Sequence, residues 1–123
     1  MTEVAKSRVI VVDDDQIVAD TVALVLRHAG FEVYTFYDAL TAAQHALKSH
    51  PQVVVTDYAM PNIDGLELAA WMKYNCPGCK IVILSGKASM LARQADDGPK
   101  FTLIQKPVHT HTLVAAVWKQ ISG

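Results

Sequence analysis

Aromatic residues make up only 7% of this 123-residue chain, and cysteine occurs twice. No apolar run approaches the ~20 residues that a membrane span needs. The opening Met1-Thr-Glu-Val-Ala-Lys6 has no apolar segment of the kind that marks a secretory signal, so the expected location is the cytoplasm, with no membrane partner. Charge of one sign is also missing: the net charge is −1, which gives no broad attraction to nucleic acid, and direct nucleic-acid binding is not expected. The chain lacks a Ser/Gly-rich linker, a low-complexity tract and the length for a second core, so residues 1–123 read as a single domain with its core at about 8–121. What is present is a 51% hydrophobic composition with 19% charged residues, which suits a compact α/β domain and excludes disorder as the main content.

The two cysteines form one Cys76-Pro-Gly-Cys79. Such a pair can host a low-pKa thiol or half of a zinc site. A redox motif of this type should open a helix after a strand, whereas Pro77-Gly78 reads as the turn that ends one helix and admits the next strand. No second C-x-x-C completes a tetrahedral site, although His50 could contribute if it lay near. His28, His45, His50, His109 and His111 show no metal-ligand spacing and read as surface or boundary residues.

Hydrophobic periodicity alternates between strand and helix along the chain. Arg8–Val12 is a β-branched run. Asp15 then caps a helix over Gln16–Ala29, closed by Gly30, in which Ile17, Thr21, Leu24, Val25 and Ala29 fall at helical spacing. Glu32–Phe36 alternates polar and apolar residues as an edge strand does, and Asp38 caps a helix from Ala39 to Ser49 that Pro51 ends. Val53–Thr56 is the third strand and the most buried by composition. Gly65–Tyr74 follows as a helix with Asp64 as a candidate cap, then Lys80–Leu84 as a strand, Ser89–Ala95 as a short helix, Thr102–Ile104 as a strand and Thr110–Ile121 as the closing helix. Trp71 and Trp118 are expected at the core or its edge, Trp118 being the better candidate for a partner surface. Five strands alternating with five helices predict a doubly wound parallel sheet, covered on both faces, with its ligand site beyond the carboxyl ends of the strands.

Asp13, Asp14, Asp57, Ser85 and Lys106 all fall at that end. Any one of them has an ordinary explanation: acids favour first helical turns, and a strand-end serine usually makes a turn hydrogen bond. Together they describe a site. Clustered carboxylates repel one another unless a cation is present, and Mg²⁺ is the hard, oxygen-seeking ion that binds through one or two carboxylates plus phosphoryl oxygens. Asp14 and Asp57 are the expected direct ligands, with Asp13 acting through a water and the Ala59 carbonyl adding an oxygen. Lys106 supplies a point charge and Ser85 a hydroxyl to a phosphoryl group, and Asp57 is the candidate nucleophile, able to form an acyl phosphate. No histidine is required within the domain, since the donor can be another protein.

Val-Val-Asp13-Asp14, Asp57-Tyr-Ala-Met-Pro-Asn-Ile-Asp-Gly65, Leu84-Ser85-Gly86 and Lys106-Pro107, in that order at four strand ends, resemble the receiver domain of two-component response regulators. The resemblance covers nearly the whole chain. It implies a flavodoxin-like sheet of order 2-1-3-4-5, a cis peptide before Pro107, and Mg²⁺-dependent phosphorylation of Asp57 by a histidine kinase or histidine phosphotransfer protein. It also implies a switch surface around Ser85, Gly86, Lys87 and Leu103, read by an output partner or by an effector domain of a larger regulator; a solvated Lys87 is the ordinary alternative. Three departures stand out. Leu103 occupies the position, three before the lysine, where the family usually carries an aromatic residue; Gly86 replaces the common alanine; and Asp96-Asp-Gly-Pro99 replaces a small Gly-Ala approach to the fifth strand. They predict an atypical output face.

Two other functions fit parts of the pattern. Mg²⁺-dependent phosphohydrolases also place acids after a first parallel strand, and Asp13-Asp-Asp15 meets their Asp-x-Asp in part, although Ile17 stands where threonine or valine is usual and no cap insertion is present. A phosphorylation-independent binding module is suggested by Leu103 and Gly86. The leading expectation is a switch that is not an enzyme beyond its own phosphorylation and dephosphorylation.

Overall fold

The computed structural model describes residues 6–86 and 101–122. Strands β1 (Arg8–Val12), β2 (Glu32–Phe36), β3 (Val53–Asp57), β4 (Lys80–Ser85) and β5 (Thr102–Gln105) form one parallel sheet of order β2-β1-β3-β4-β5. The described helices are α1 (Gln16–His28), α2 (Ala39–Ser49), α3 (Gly65–Asn75) and α4 (Thr110–Ser122). The expected helix at Ser89–Ala95 lies outside the described residues, as do Lys87 and Asp96-Asp-Gly-Pro99. Among the described residues no helix is long and apolar enough to cross a membrane.

The continuous apolar strands are explained by burial on both faces. Along β1, Ile10 and Val12 join one core while Val9 and Val11 join the other, and β3 divides likewise into Val54 on one side and Val53 and Val55 on the other. Helices α2 and α3 cover the first face, α1 and α4 the second. β3 is the strand buried at every position, and β2 lies at the edge as expected, although its last three residues, Tyr34, Thr35 and Phe36, are all half-buried rather than alternating. Each fully buried valine or isoleucine contributes about 1.5–3 kcal/mol relative to exposure, so the central strands anchor the site.

Capping agrees with the sequence. The side chains of Asp15, Asp38 and Asp64 accept from the backbone N–H of Val18, Thr41 and Glu67, and Asp64 with Glu67 forms a reciprocal capping box. After α2, His50 takes the left-handed conformation, with φ 49°. Helix α1 departs from expectation. Its buried stripe is Ala19, Ala23 and Leu26, whereas Ile17 and Leu24 are 79% and 62% exposed. Two alanines let the helix lie close to the sheet, and that approach rotates the larger residues outward.

Candidate functional site

Parallel strands that end at one level deliver their next residues to a common edge. Asp57 closes β3 opposite Leu84, and Ser85 closes β4 opposite Gln105. The chain turns over the same edge through hydrogen bonds from Tyr58 N–H to the Leu84 carbonyl (2.9 Å) and from Lys106 N–H to the Ser85 carbonyl (2.8 Å). Asp13 follows β1 directly and is held by its N–H to the Phe36 carbonyl at 3.2 Å.

Carboxylate oxygens of Asp13, Asp14 and Asp57 lie within 4.8 Å of one another. Asp13 and Asp57 are buried and Asp14 is exposed, so the cluster opens to solvent on the Asp14 side. Lys106 Nζ lies 2.7 Å from Asp57 Oδ1 and 3.8 Å from Asp13 Oδ2. Burial pushes the Asp13 carboxyl up to about 6; the Asp15 N–H, which donates to Asp13 Oδ1 at 2.9 Å, opposes the rise, while the charge of Asp57 adds to it. Burial tends to lower the Lys106 ammonium, but its hydrogen bond to Asp57 and the charges of Asp57, Asp13 and Asp15 outweigh that and hold it above its ordinary value. One lysine faces three acids. The unbalanced negative charge and the oxygen-only donor set fit a hard divalent cation such as Mg²⁺.

The remaining expected positions are distributed as follows. Ser85 is buried at the strand end. Ala59 is exposed two residues beyond Asp57, and Gly86 is exposed with open space where a Cβ would stand. Leu103 is half-buried in β5, packed with Phe101 against the core beneath α2 and α3. The Lys106–Pro107 peptide is cis. Cys76 and Cys79 are free thiols at the opposite edge of the sheet, in a turn closed by the Cys79 N–H to the Cys76 carbonyl at 2.9 Å. His45 is not a plain surface residue: its ring lies 4.9 Å from Tyr34 and 5.0 Å from Phe36.

Two supports escaped sequence reasoning. A Cβ on Gly65 would lie 2.5 Å from the Asp57 carbonyl oxygen and 2.9 Å from Tyr58 Cα, so this glycine does more than ease helix entry: it lets α3 begin against the backbone of Asp57. The Gly65 N–H also donates to the Tyr58 carbonyl at 2.8 Å. Fully buried Thr56 donates its hydroxyl to the Asp57 carbonyl at 3.0 Å. The Asp64-Gly65 pair signals a helix start, but no local pattern reveals that the start abuts Asp57.

Residues 9–118 match the family model of the response regulator receiver domain. The chain is 32% identical to the probable transcriptional regulatory protein TcrX of Mycobacterium tuberculosis over 71% of its own length and 37% of that protein. It is 31% identical to the C4-dicarboxylate transport transcriptional regulatory protein DctD of Pseudomonas aeruginosa, over 92% of its own length and 25% of that protein. It thus spans well under half of either relative. Among solved structures, chemotaxis protein CheY4 of Vibrio cholerae superimposes with a TM-score of 0.83 at 26% identity, covering 94% of this chain and 98% of that one.

Proposed function

The chain belongs to the response regulator receiver domain family of two-component signalling, and on that premise we propose that it is a phosphoacceptor switch in which Asp57 takes a phosphoryl group from a histidine kinase or a histidine phosphotransfer protein. The observation that carries this reading is the 2.7 Å contact of Lys106 with Asp57 inside a cluster of three carboxylates. A domain of this class is a signalling module, and its only chemistry would be its own phosphorylation and dephosphorylation.

Asp14 and Asp57 would hold Mg²⁺ directly, with Asp13 acting through a water and the Ala59 carbonyl contributing an oxygen. When bound, the ion supplies neutralisation of the charge that builds on the transferring phosphoryl oxygens. Asp57 Oδ attacks phosphorus in line, the N–P bond of the phosphohistidine breaks, and its electron pair stays on the departing imidazole. Lys106, positively charged and already hydrogen-bonded to one Asp57 oxygen, steadies that carboxylate and then pairs with the phosphoryl group. The Ser85 hydroxyl donates to a phosphoryl oxygen and, with Lys106, conveys the added charge toward Gly86 and Leu103, where an output partner or a linked effector domain reads it. An apolar groove of about 290 Å³ lined by Ile17, Val22, Val108 and Lys106, the lysine that contacts Asp57, supports a protein as donor. Residues 1–123 would form one receiver unit working in the cytoplasm.

Intact-mass measurement after treatment with Mg²⁺ and acetyl phosphate tests the proposal. One phosphoryl adduct on the wild type and none on Asp57→Asn is expected; an adduct that persists in Asp57→Asn would remove Asp57 as the acceptor. Partner binding that ignores phosphorylation is the second reading, favoured by half-buried Leu103, which offers no aromatic ring to reorient. It predicts equal partner affinity for wild type and Asp57→Asn, with and without the phosphodonor.

A further inference from the structure

Away from the acids, α2 and α3 lie side by side on one face of the sheet, and both run antiparallel to the strands they connect, so they point the same way. Between them is an apolar groove of about 300 Å³. Ala39 and Ala43 are small enough to leave it open, Leu40, Leu47 and Trp71 stand along it, and Gln44 and Glu67 are its only polar lining residues. Eight large apolar side chains are exposed among the described residues, and four belong to this pair of helices: Leu40 (59%), Leu47 (46%), Trp71 (38%) and Tyr74 (90%). That concentration marks a surface that gains by being covered.

We propose that this face binds a second copy of the same chain through two-fold packing of α2 and α3 on α2 and α3. Two features select a second copy over an unrelated protein. The first is that knob and hole occur on one face. Tyr74, the most exposed large apolar residue described, sits one turn beyond Trp71 on α3. A two-fold axis near Trp71 carries Tyr74 of each copy over the groove of the other, where Gln44 or Glu67 can accept its hydroxyl proton in a hydrogen bond. The second is the charge arrangement. Asp38, Asp64 and Glu67 stand at the N-terminal ends of the two helices, and Lys48 lies in the last turn of α2. The same axis sets the helix pairs antiparallel, brings Lys48 over the acidic end of the other copy, and opposes the helix dipoles favourably.

The four exposed side chains supply on the order of half of the roughly 800 Å² per subunit of a standard interface, so the association is weak enough to depend on concentration. It does not depend on Asp57 accepting a phosphoryl group. The test is sedimentation of the full chain, without Mg²⁺ or phosphodonor, from about 1 μM to about 1 mM. A monomer–dimer equilibrium is expected, weakened at least about tenfold by Tyr74→Ser or Leu40→Ser and about threefold by Lys48→Glu, whereas Ile17→Ser and Leu24→Ser on α1 leave it unchanged. The substituted side chains are solvent-exposed, and circular dichroism verifies that each variant is folded. A chain that stays monomeric throughout overturns the proposal and leaves the groove to a different protein. A dimer lost in the α1 variants but retained in Tyr74→Ser overturns it as well.

Discussion

At the carboxyl edge of the sheet, Asp13, Asp14 and Asp57 bring carboxylate oxygens within 4.8 Å of one another, with Lys106 at hydrogen-bond distance from Asp57. At the amino edge, Cys76, Cys79 and His50 also carry potential ligand atoms, yet among the described residues they form no cluster that could hold a metal. The thiols diverge: Cys76 Sγ donates to the Ala46 carbonyl and Cys79 Sγ to the Lys80 carbonyl. Burial pushes Cys79 up to about 12, the opposite of what a reactive thiol needs. The acids come from two neighbouring strand ends and converge on one cluster, whereas the thiols share a single turn whose geometry serves the chain reversal. A pair of ligand-type residues becomes a site when separate elements aim it at one point, and spacing alone does not supply that aim.

The largest effect should follow from disturbing the carboxyl edge at its backbone. Gly65→Ala places a methyl group against the Asp57 carbonyl, and we expect a loss of about 1–3 kcal/mol in denaturant unfolding together with a large drop in phosphoryl uptake from acetyl phosphate. Full activity in this variant would mean that the α3 start is not coupled to the acceptor. Lys106→Met is next: it leaves three acids without their cation, so metal-free stability should fall by about 1–2 kcal/mol, and added Mg²⁺ should restore more stability to the variant than to the wild type. Equal Mg²⁺ stabilisation of both proteins would contradict the charge balance drawn above.

A third prediction concerns pH. Because burial lifts Asp13 from 3.8 to about 6, the metal-free folded protein binds more protons than the unfolded chain between those values. Stability from this group is therefore greatest at low pH and declines as pH rises from about 4 through about 6, while Mg²⁺ affinity climbs over the same interval as the carboxyl ionises. Unfolding midpoints measured with and without Mg²⁺ check both slopes, and Asp13→Asn should flatten them. The smallest effect is expected at the amino edge. Cys79→Ser should change stability by no more than about 0.5 kcal/mol and leave phosphoryl uptake and Mg²⁺ affinity untouched; a clear fall in either would restore a functional role to the Cys76-Pro-Gly-Cys79 turn.

Most of the fold was legible because strong local signals coincided. β1 and β3 are unbroken β-branched runs, and Asp15, Asp38 and Asp64 cap the helices that follow, as their positions before apolar periodic segments suggested. Helix α1 shows where periodicity failed: Ile17 and Leu24 are larger than Ala19 and Ala23, but the alanines permit close approach to the sheet and so define the buried side. At the site, Asp13, Asp14, Asp57 and Lys106 were readable because each ends an apolar run. Gly65 and Thr56 were not readable as supports of Asp57, since their roles depend on which backbone atoms they meet across the turn.

The order of strands and helices, the caps and the identities of the acids and the lysine follow from the sequence itself, because periodicity, propensity and side-chain chemistry act over a few residues. How near the clustered carboxylates come to one another, why burial lifts the Asp13 carboxyl, how closely α3 starts behind Asp57 and which face of α1 and of the α2–α3 pair remains uncovered were decided only by tertiary structure. Those properties depend on distances and desolvation between residues far apart in the chain, and they exist only once the parallel strands have brought their ends together.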